Sequence, residues 1–181
     1  MREDLERLRG VERGEQSAAC RFFRFNQPTL SYGRLQKRAL IEPRLPPGWN
    51  VVQRPTGGGI VFHNADLCLS LVWRRRQAPL PNSPKEVYRW IHQVIKEGLG
   101  NHLTMAGCAE ICHVNPPSPV RDCFKEPVGY DLLSGNDKVV GGALYCTRQA
   151  MLYQGSLQCP VTPALEESLK NAFRTRLSMG S

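Results

Sequence analysis

No apolar run approaches the roughly 18 residues that a membrane-crossing helix needs, so a transmembrane span is not expected. The N-terminus, MREDLERLRGVERGEQ, is charged and has no apolar core, which argues against a secretory signal. Low-complexity tracts and internal repeats are absent, and so is any linker long enough to divide the chain. One domain over residues 1–181 is expected, long enough to bury a sizeable core. Acidic residues are in short supply: 16 Asp and Glu stand against 24 Lys and Arg, a formal charge of +8. Such a surface favours acidic partners, and both nucleic acid and small acidic carrier domains qualify. The Arg74-Arg75-Arg76 run by itself reads as a solvated strand end.

Cysteine, by contrast, is plentiful and odd in number: Cys20, Cys68, Cys108, Cys112, Cys123, Cys146 and Cys159. Without a secretory signal these thiols are expected to stay reduced and the chain to be cytoplasmic. Each is then a candidate for packing, metal ligation or nucleophilic chemistry. Cys108, Cys112 and His113 match zinc spacing only loosely, with no second ligand pair nearby, and no metal is expected. Cys20, Cys68, Cys146 and Cys159 fall in apolar strand contexts and read as packing residues.

Periodicity predicts a charged-faced helix over Glu3–Arg9, a strand over Cys20–Phe25, a short strand at Thr29–Tyr32 and a short helix at Gln36–Leu40. Pro46-Pro47-Gly48 is a turn. Ile60–His63 and Leu67–Trp73 read as the two strands of a hairpin joined by Asn64-Ala65-Asp66. A helix starts at Pro84, with Ser83 and Glu86 as a capping box and Val87, Ile91, Val94 and Ile95 as its apolar stripe; Gly98 and Gly100 are expected to end it. Pro116, Pro117 and Pro119 argue for loop. Tyr130–Leu133 and Lys138–Tyr145 read as strands around a turn at 134–137, and Gln149–Leu157 as another. A last helix follows Thr162-Pro163 and buries Leu165, Leu169 and Phe173. The sum is an α+β fold: a mixed, largely antiparallel sheet with flanking helices.

Three consecutive glycines, Gly57, Gly58 and Gly59, need a physical reason in a strand-rich region, because glycine packs nothing and loses much entropy there. Close backbone approach to a ligand is such a reason, with free amides to hold an anionic or carbonyl group; a flexible loop or bulge is the plainer one. A P-loop is excluded, since no Lys-Ser/Thr follows and the next element is a strand. His63, four residues on, is a candidate for the same site.

The stretch Arg54-Pro55-Thr56-Gly57-Gly58-Gly59-Ile60-Val61-Phe62-His63-Asn64-Ala65-Asp66-Leu67-Cys68-Leu69-Ser70 resembles the signature of the biotin/lipoate ligase and octanoyltransferase superfamily. The upstream segment Asn26–Gln36, with Ser31-Tyr32-Gly33 inside it, is similar to a second family block. A third comprises Cys123-Phe124-Lys125, Tyr130-Asp131-Leu132, Lys138-Val139-Val140-Gly141-Gly142-Ala143 and Gln154-Gly155-Ser156. The likeness spans about residues 20–175. Departures stand at Gln53, where members often have a second arginine, at Asn64 and at Gly142, and the chain ends sooner than full-length members do.

That resemblance implies the fold of the biotin/lipoate ligase catalytic domain and a lipoate-type acyl group as the thing handled. It implies that Lys138 contacts the acyl carbonyl, and that Arg54, Thr56, Gly57, Gly58, Gly59, His63, Gly141, Gly142, Ala143, Gly155 and Ser156 line the acyl channel. The position of Cys123 before the lysine strand is similar to that of the nucleophile in the cysteine-dependent transferases, as is the stretch after His63. The implied activity is octanoyl or lipoyl transfer from an acyl carrier protein to the lysine of a lipoyl domain through a Cys123 thioester, with no cofactor. An ATP- and Mg2+-dependent lipoate ligase and a catalytically silent acyl-binding relative stay open as alternatives. A nucleic-acid module would account for the charge and for Arg21-Phe22-Phe23-Arg24-Phe25, but strand alternation explains those residues too, and the glycine and lysine blocks would go unused.

Overall fold

A computed structural model describes residues 1–76, 80–100, 103–107, 120, 122–125 and 128–178. Four helices, α1 (Arg2–Arg13), α2 (Arg38–Ile41), α3 (Pro84–Leu99) and α4 (Pro163–Ser178), flank two sheets. The larger sheet orders its strands β1 (Ala18–Phe23), β5 (Leu67–Arg74), β9 (Ala150–Leu157), β8 (Asp137–Cys146), β7 (Leu132–Ser134) and β6 (Thr104–Met105), all antiparallel. The smaller sheet places β2 (Thr29–Tyr32) between β3 (Asn50–Gln53), parallel to it, and β4 (Ile60–His63), antiparallel. The expected α+β architecture is thus present. No helix among the described residues is long and apolar enough to cross a membrane.

Strand alternation divides the large sheet into two working faces. Leu67, Leu69, Leu71 and Trp73 of β5 join Met151, Tyr153 and Leu157 of β9 beneath α3 and α4, where Val87, Ile91, Val94, Ile95, Leu169 and Phe173 complete the main core. Each such side chain, fully withdrawn from water, contributes about 1.5–3 kcal/mol. The alternate positions form cross-strand rows on the opposite face: Phe23, Cys68, Ser156 and Gly141 in one, Arg21, Ser70, Gln154 and Ala143 in the next. One end of that face is covered by Leu8 and Val11 of α1, packed on Val72, Ala150 and Leu152.

The expected hairpin of β4 and β5 does not exist. Both edges of β5 are occupied, by β1 and β9, so β4 has no edge to pair with and joins β2 instead. The short connection, with Ala65 at φ 70°, carries the chain from one sheet to the other. Helix α1 runs further than Glu3–Arg9, and α2 sits at Arg38–Ile41 rather than Gln36–Leu40. Ser83 caps α3 as expected, its hydroxyl accepting from the Glu86 amide at 3.3 Å and donating to the Glu86 carboxylate at 2.6 Å. Gly98, expected to end this helix, lies inside it, and Gly100 is the residue beyond its last turn. The proline-rich loop and the Cys108, Cys112, His113 group lie outside the described residues.

Gly98 is where α3 meets α4. A Cβ added there would stand 2.8 Å from Leu169 Cδ2 and 3.2 Å from its Cα, so backbone would have to move. Helix propensity alone favours alanine over glycine by about 1 kcal/mol, whereas overpacking costs about 1–3 kcal/mol. Gly98→Ala should therefore lower the unfolding midpoint in urea. Gly10→Ala in α1, where the added methyl meets only the ends of Gln16 and Glu15 at 3.2 Å, should raise it or leave it unchanged.

Candidate functional site

A cavity of about 240 Å³ lies between the large sheet and the glycine-bearing turn of the small one. Its apolar lining comes from Phe23, Val61, Leu69, Phe124, Val128 and Leu144. Of the residues singled out in the sequence, Arg54, Gly57, Gly58, Gly59, His63, Cys123, Lys138, Gly141, Gly142, Ala143, Gly155 and Ser156 all line it. Thr56 does not; it is buried behind the glycines, donating to Gln154 Oε1 at 2.8 Å.

Backbone pairing delivers Cys123 to the glycine turn. Asp122 bridges Ile60, and the Cys123 amide donates to the Ile60 carbonyl at 3.0 Å. The sulfur then accepts from the Gly59 amide at 3.1 Å. Gly58, at φ 87°, faces this sulfur with no side chain; an added Cβ would stand 3.4 Å from Sγ and 3.4 Å from an Arg54 nitrogen. Arg54 itself is buried and braces the turn, donating to the Gly57 and Gly59 carbonyls at 3.2 and 2.9 Å and to Ser31 Oγ at 2.6 Å.

Lys138 is fixed on three sides. Its ammonium donates to the Cys123 carbonyl at 2.6 Å and pairs with Asp131 at 2.7 Å, the two side chains being 4% and 2% exposed. Its stem lies over Gly141, where an added Cβ would come within 2.3 Å of Cε. Asp131 is in turn held by the Val128 amide at 2.6 Å. On the helix side of the same strands, His92 donates to the Tyr130 carbonyl and accepts from the Tyr153 hydroxyl at 2.6 Å. Burial holds His92 below its ordinary pKa and Tyr153 well above, so this core pair stays neutral.

Beside the thiol runs a buried polar chain. Ser31 Oγ accepts from Arg54, so its own proton goes to His63 Nε2 at 2.7 Å; the other ring nitrogen then donates to Asp66 at 2.8 Å. Ser156 donates to the same carboxylate oxygen at 2.6 Å, and Cys68 lies 3.5 Å from it. Burial pushes the Asp66 carboxyl up, but hydrogen bonds from His63, Ser156 and Cys68 and the proximity of His63 outweigh it, and the net shift is downward. His63, Asp66 and Cys68 offer ligand atoms within 4.8 Å of one another, the geometry a metal ion would need, although hydrogen bonds already occupy His63 Nδ1 and Asp66 Oδ2. Cys68 is therefore more than packing, and Cys146, read as a packing residue, is exposed; the five cysteines among the described residues are all free.

Ser31, Asp66, Asp131 and Gln154 stand inside the family-like blocks of the sequence without being expected at the site, and Tyr88 stands in none of those blocks. Asp131 had a readable signal, a lone carboxylate at the start of an apolar strand. The part Gln154 plays depends on α1: it donates to buried Asp4 at 2.6 Å, and Asp4 accepts from Arg21 at 2.8 Å.

Asp66 makes a pH-dependent prediction. Its carboxyl is lowered in the folded chain, so the stability it contributes is present above its unfolded pKa and disappears as pH falls through the lower folded value. Urea midpoints of wild type and Asp66→Asn should differ at neutral pH, wild type being the more stable, and should converge in strong acid. A gap that does not narrow there would refute the assignment.

Residues 3–176 match the model of the lipoyl protein ligase A/B catalytic domain. Octanoyltransferase LipM of Staphylococcus aureus is 32% identical over 160 residues, covering 83% of this chain and 57% of that protein. For the LipM of Kyrpidia tusciae the identity is 31% over 163 residues, covering 83% and 58%. The chain thus spans a little over half the length of these relatives. Among solved structures, protein Ta0514 of T. acidophilum with bound lipoic acid superposes with a TM-score of 0.68 at 17% identity, covering 98% of this chain and 80% of that one. A lipoate-protein ligase A bound with ATP gives 0.63 at 18%, covering 97% and 78%. The fold resemblance and the match over nearly the whole length agree: this chain belongs to the lipoyl protein ligase A/B catalytic domain family.

Proposed function

We propose that residues 1–181 act as one acyl-transfer domain that moves an octanoyl or lipoyl group from a carrier protein to the lysine of a lipoyl domain, through a thioester on Cys123. The observation that carries this reading is a thiol at the wall of an apolar cavity, its sulfur accepting from the Gly59 amide and its own backbone carbonyl held by the Lys138 ammonium. The LipM relatives, described as octanoyltransferases, support it.

In the first half-reaction Cys123 sulfur attacks the carbonyl carbon of the donor thioester. The new C–S bond forms, the donor C–S bond breaks, and the donor sulfur leaves to be protonated from solvent. In the second, a lysine amine attacks the Cys123 thioester; an amide forms and the sulfur is released. Negative charge builds on the carbonyl oxygen both times, and Lys138 stabilises it best if already in place. The apolar walls hold the acyl tail. Neither half-reaction needs a metal or nucleotide. The charge of +8 suits acidic carrier and lipoyl domains, and the reaction is assigned to the cytoplasm, where the free thiols would stay reduced.

Incubation with octanoyl-acyl carrier protein should add one octanoyl group to the intact mass, and Cys123→Ala should abolish the adduct. ATP-dependent lipoylation without such an adduct would establish the ligase reading instead, and neither signal would mark an acyl-binding relative without catalysis. Gly141→Ala tests the lysine separately. Its methyl must displace Lys138 Cε, and a shift of about 1 Å in a catalytic group is worth roughly 100-fold in rate. The variant should acylate Cys123 slowly under conditions where its circular dichroism still matches that of wild type; undiminished acylation would remove Lys138 from the mechanism.

A further inference from the structure

Asp66 is a buried carboxylate without a cation. Its side chain is 5% exposed. The other buried aspartates among the described residues are paired, Asp4 with Arg21 and Asp131 with Lys138. Asp66 bonds instead to the His63 ring, the Ser156 hydroxyl and the Cys68 thiol, and among the described residues to no lysine or arginine. The ring is neutral, since Ser31 donates to its Nε2. All three bonds end on Oδ2, while Oδ1 is buried with no hydrogen-bond partner. Buried charges are retained where they are paired or where they coordinate a metal.

Three unlike donors converge there from the six residues 63–68. His63 ends β4, Asp66 closes the crossover, and Cys68 enters β5 opposite Ser156. His63 Nδ1 and Asp66 Oδ2 are 2.8 Å apart, and Cys68 Sγ is 3.5 Å from each. Tetrahedral zinc, with bonds of about 2.0–2.1 Å to nitrogen or oxygen and about 2.3 Å to sulfur, spaces its ligands by about 3.4 Å, or about 3.6 Å where one is sulfur. The two sulfur distances already fit, and the nitrogen–oxygen pair must open by about 0.6 Å. His63 Nε2 is anchored on Ser31 Oγ at 2.7 Å, the kind of outer hydrogen bond that orients a ligating histidine. One imidazole, one carboxylate and one thiolate select zinc-type ions over Mg2+ and Ca2+, which take oxygen ligands.

We propose that His63, Asp66 and Cys68 form a binding site for a divalent zinc-type ion in the cavity wall, at the crossover between the two sheets. His63 and Cys68 line the cavity, so the ion enters from there and a water on the same side completes its shell. On binding, the His63 ring exchanges its Nδ1 proton for one on Nε2, which Ser31 Oγ accepts as the serine hydroxyl turns. The Cys68 thiol gives its proton to solvent. Three bonds to the ion form, one proton is released, and nothing is oxidised or reduced. The ion gives Asp66 the positive charge that no described side chain supplies, and it ties the end of β4 to the start of β5. Acyl transfer needs no metal, so the site holds the crossover, and it stands whether or not Cys123 carries an acyl group.

The test treats the whole chain with EDTA, removes the chelator and titrates with Co2+ as the spectroscopic substitute for zinc. Wild type should develop a thiolate-to-metal charge-transfer band and the strong visible bands of a tetrahedral site. Zn2+ should bleach them and Mg2+ should not. Cys68→Ser should abolish the charge-transfer band, whereas Cys123→Ser and the double variant Cys108→Ser/Cys112→Ser should keep it. Loss of an outer-shell partner alone costs about 10–100-fold in affinity, so His63→Gln should weaken Co2+ binding by at least about 100-fold. Bound Zn2+ should also raise the unfolding midpoint of wild type and not that of Cys68→Ser. A wild type without the band, or a band that survives Cys68→Ser, overturns the site. Should Cys68→Ser fail to fold, zinc-edge X-ray absorption of wild type decides: one sulfur with nitrogen and oxygen ligands supports the assignment, and no sulfur, or two or more, refutes it.

Discussion

The pairing of Lys138 with Asp131 is the constraint around which the site is arranged. Both side chains are buried, so neither charge can be satisfied by water. The lysine must therefore lie flat on β8, and only a residue without Cβ at 141 leaves it room. Once there, its remaining reach is taken by the Cys123 carbonyl, which ties the turn carrying that cysteine to the rim of the sheet. A buried ion pair is weak evidence for stability, because desolvation cancels much of the attraction. Here its value is positional: losing either member would leave an uncompensated charge and release the cysteine turn as well.

The two sheets are joined over the cavity by polar chains rather than by apolar packing. One runs from Thr56 through Gln154 to Asp4 and Arg21, binding the glycine turn, β9, α1 and β1. The other runs from Arg54 through Ser31, His63 and Asp66 to Ser156. Such bonds are directional, unlike apolar contacts, and in a low dielectric they set distances rather than merely bringing surfaces together. A cavity of fixed width needs that property. Much of its lining is apolar, and the polar groups that set its width are placed behind that lining or at one end.

Much of this was legible in the chain. The capped helix at Ser83 and the glycine–histidine and lysine–glycine blocks depend on local chemistry, and they appear where local chemistry puts them. Twelve of the thirteen residues expected at the site line one cavity. What failed depends on partners distant in sequence. Ile60–His63 and Leu67–Trp73 look like a hairpin because a short polar connection is all that local reasoning sees; that β1 and β9 already occupy both edges of β5 is a property of the whole sheet. Gly98 looks like a helix terminator until α4 is laid against it. Thr56 leans on Gln154, 98 positions away, and Gln154 on Asp4, 150 positions away, pairings no spacing rule announces.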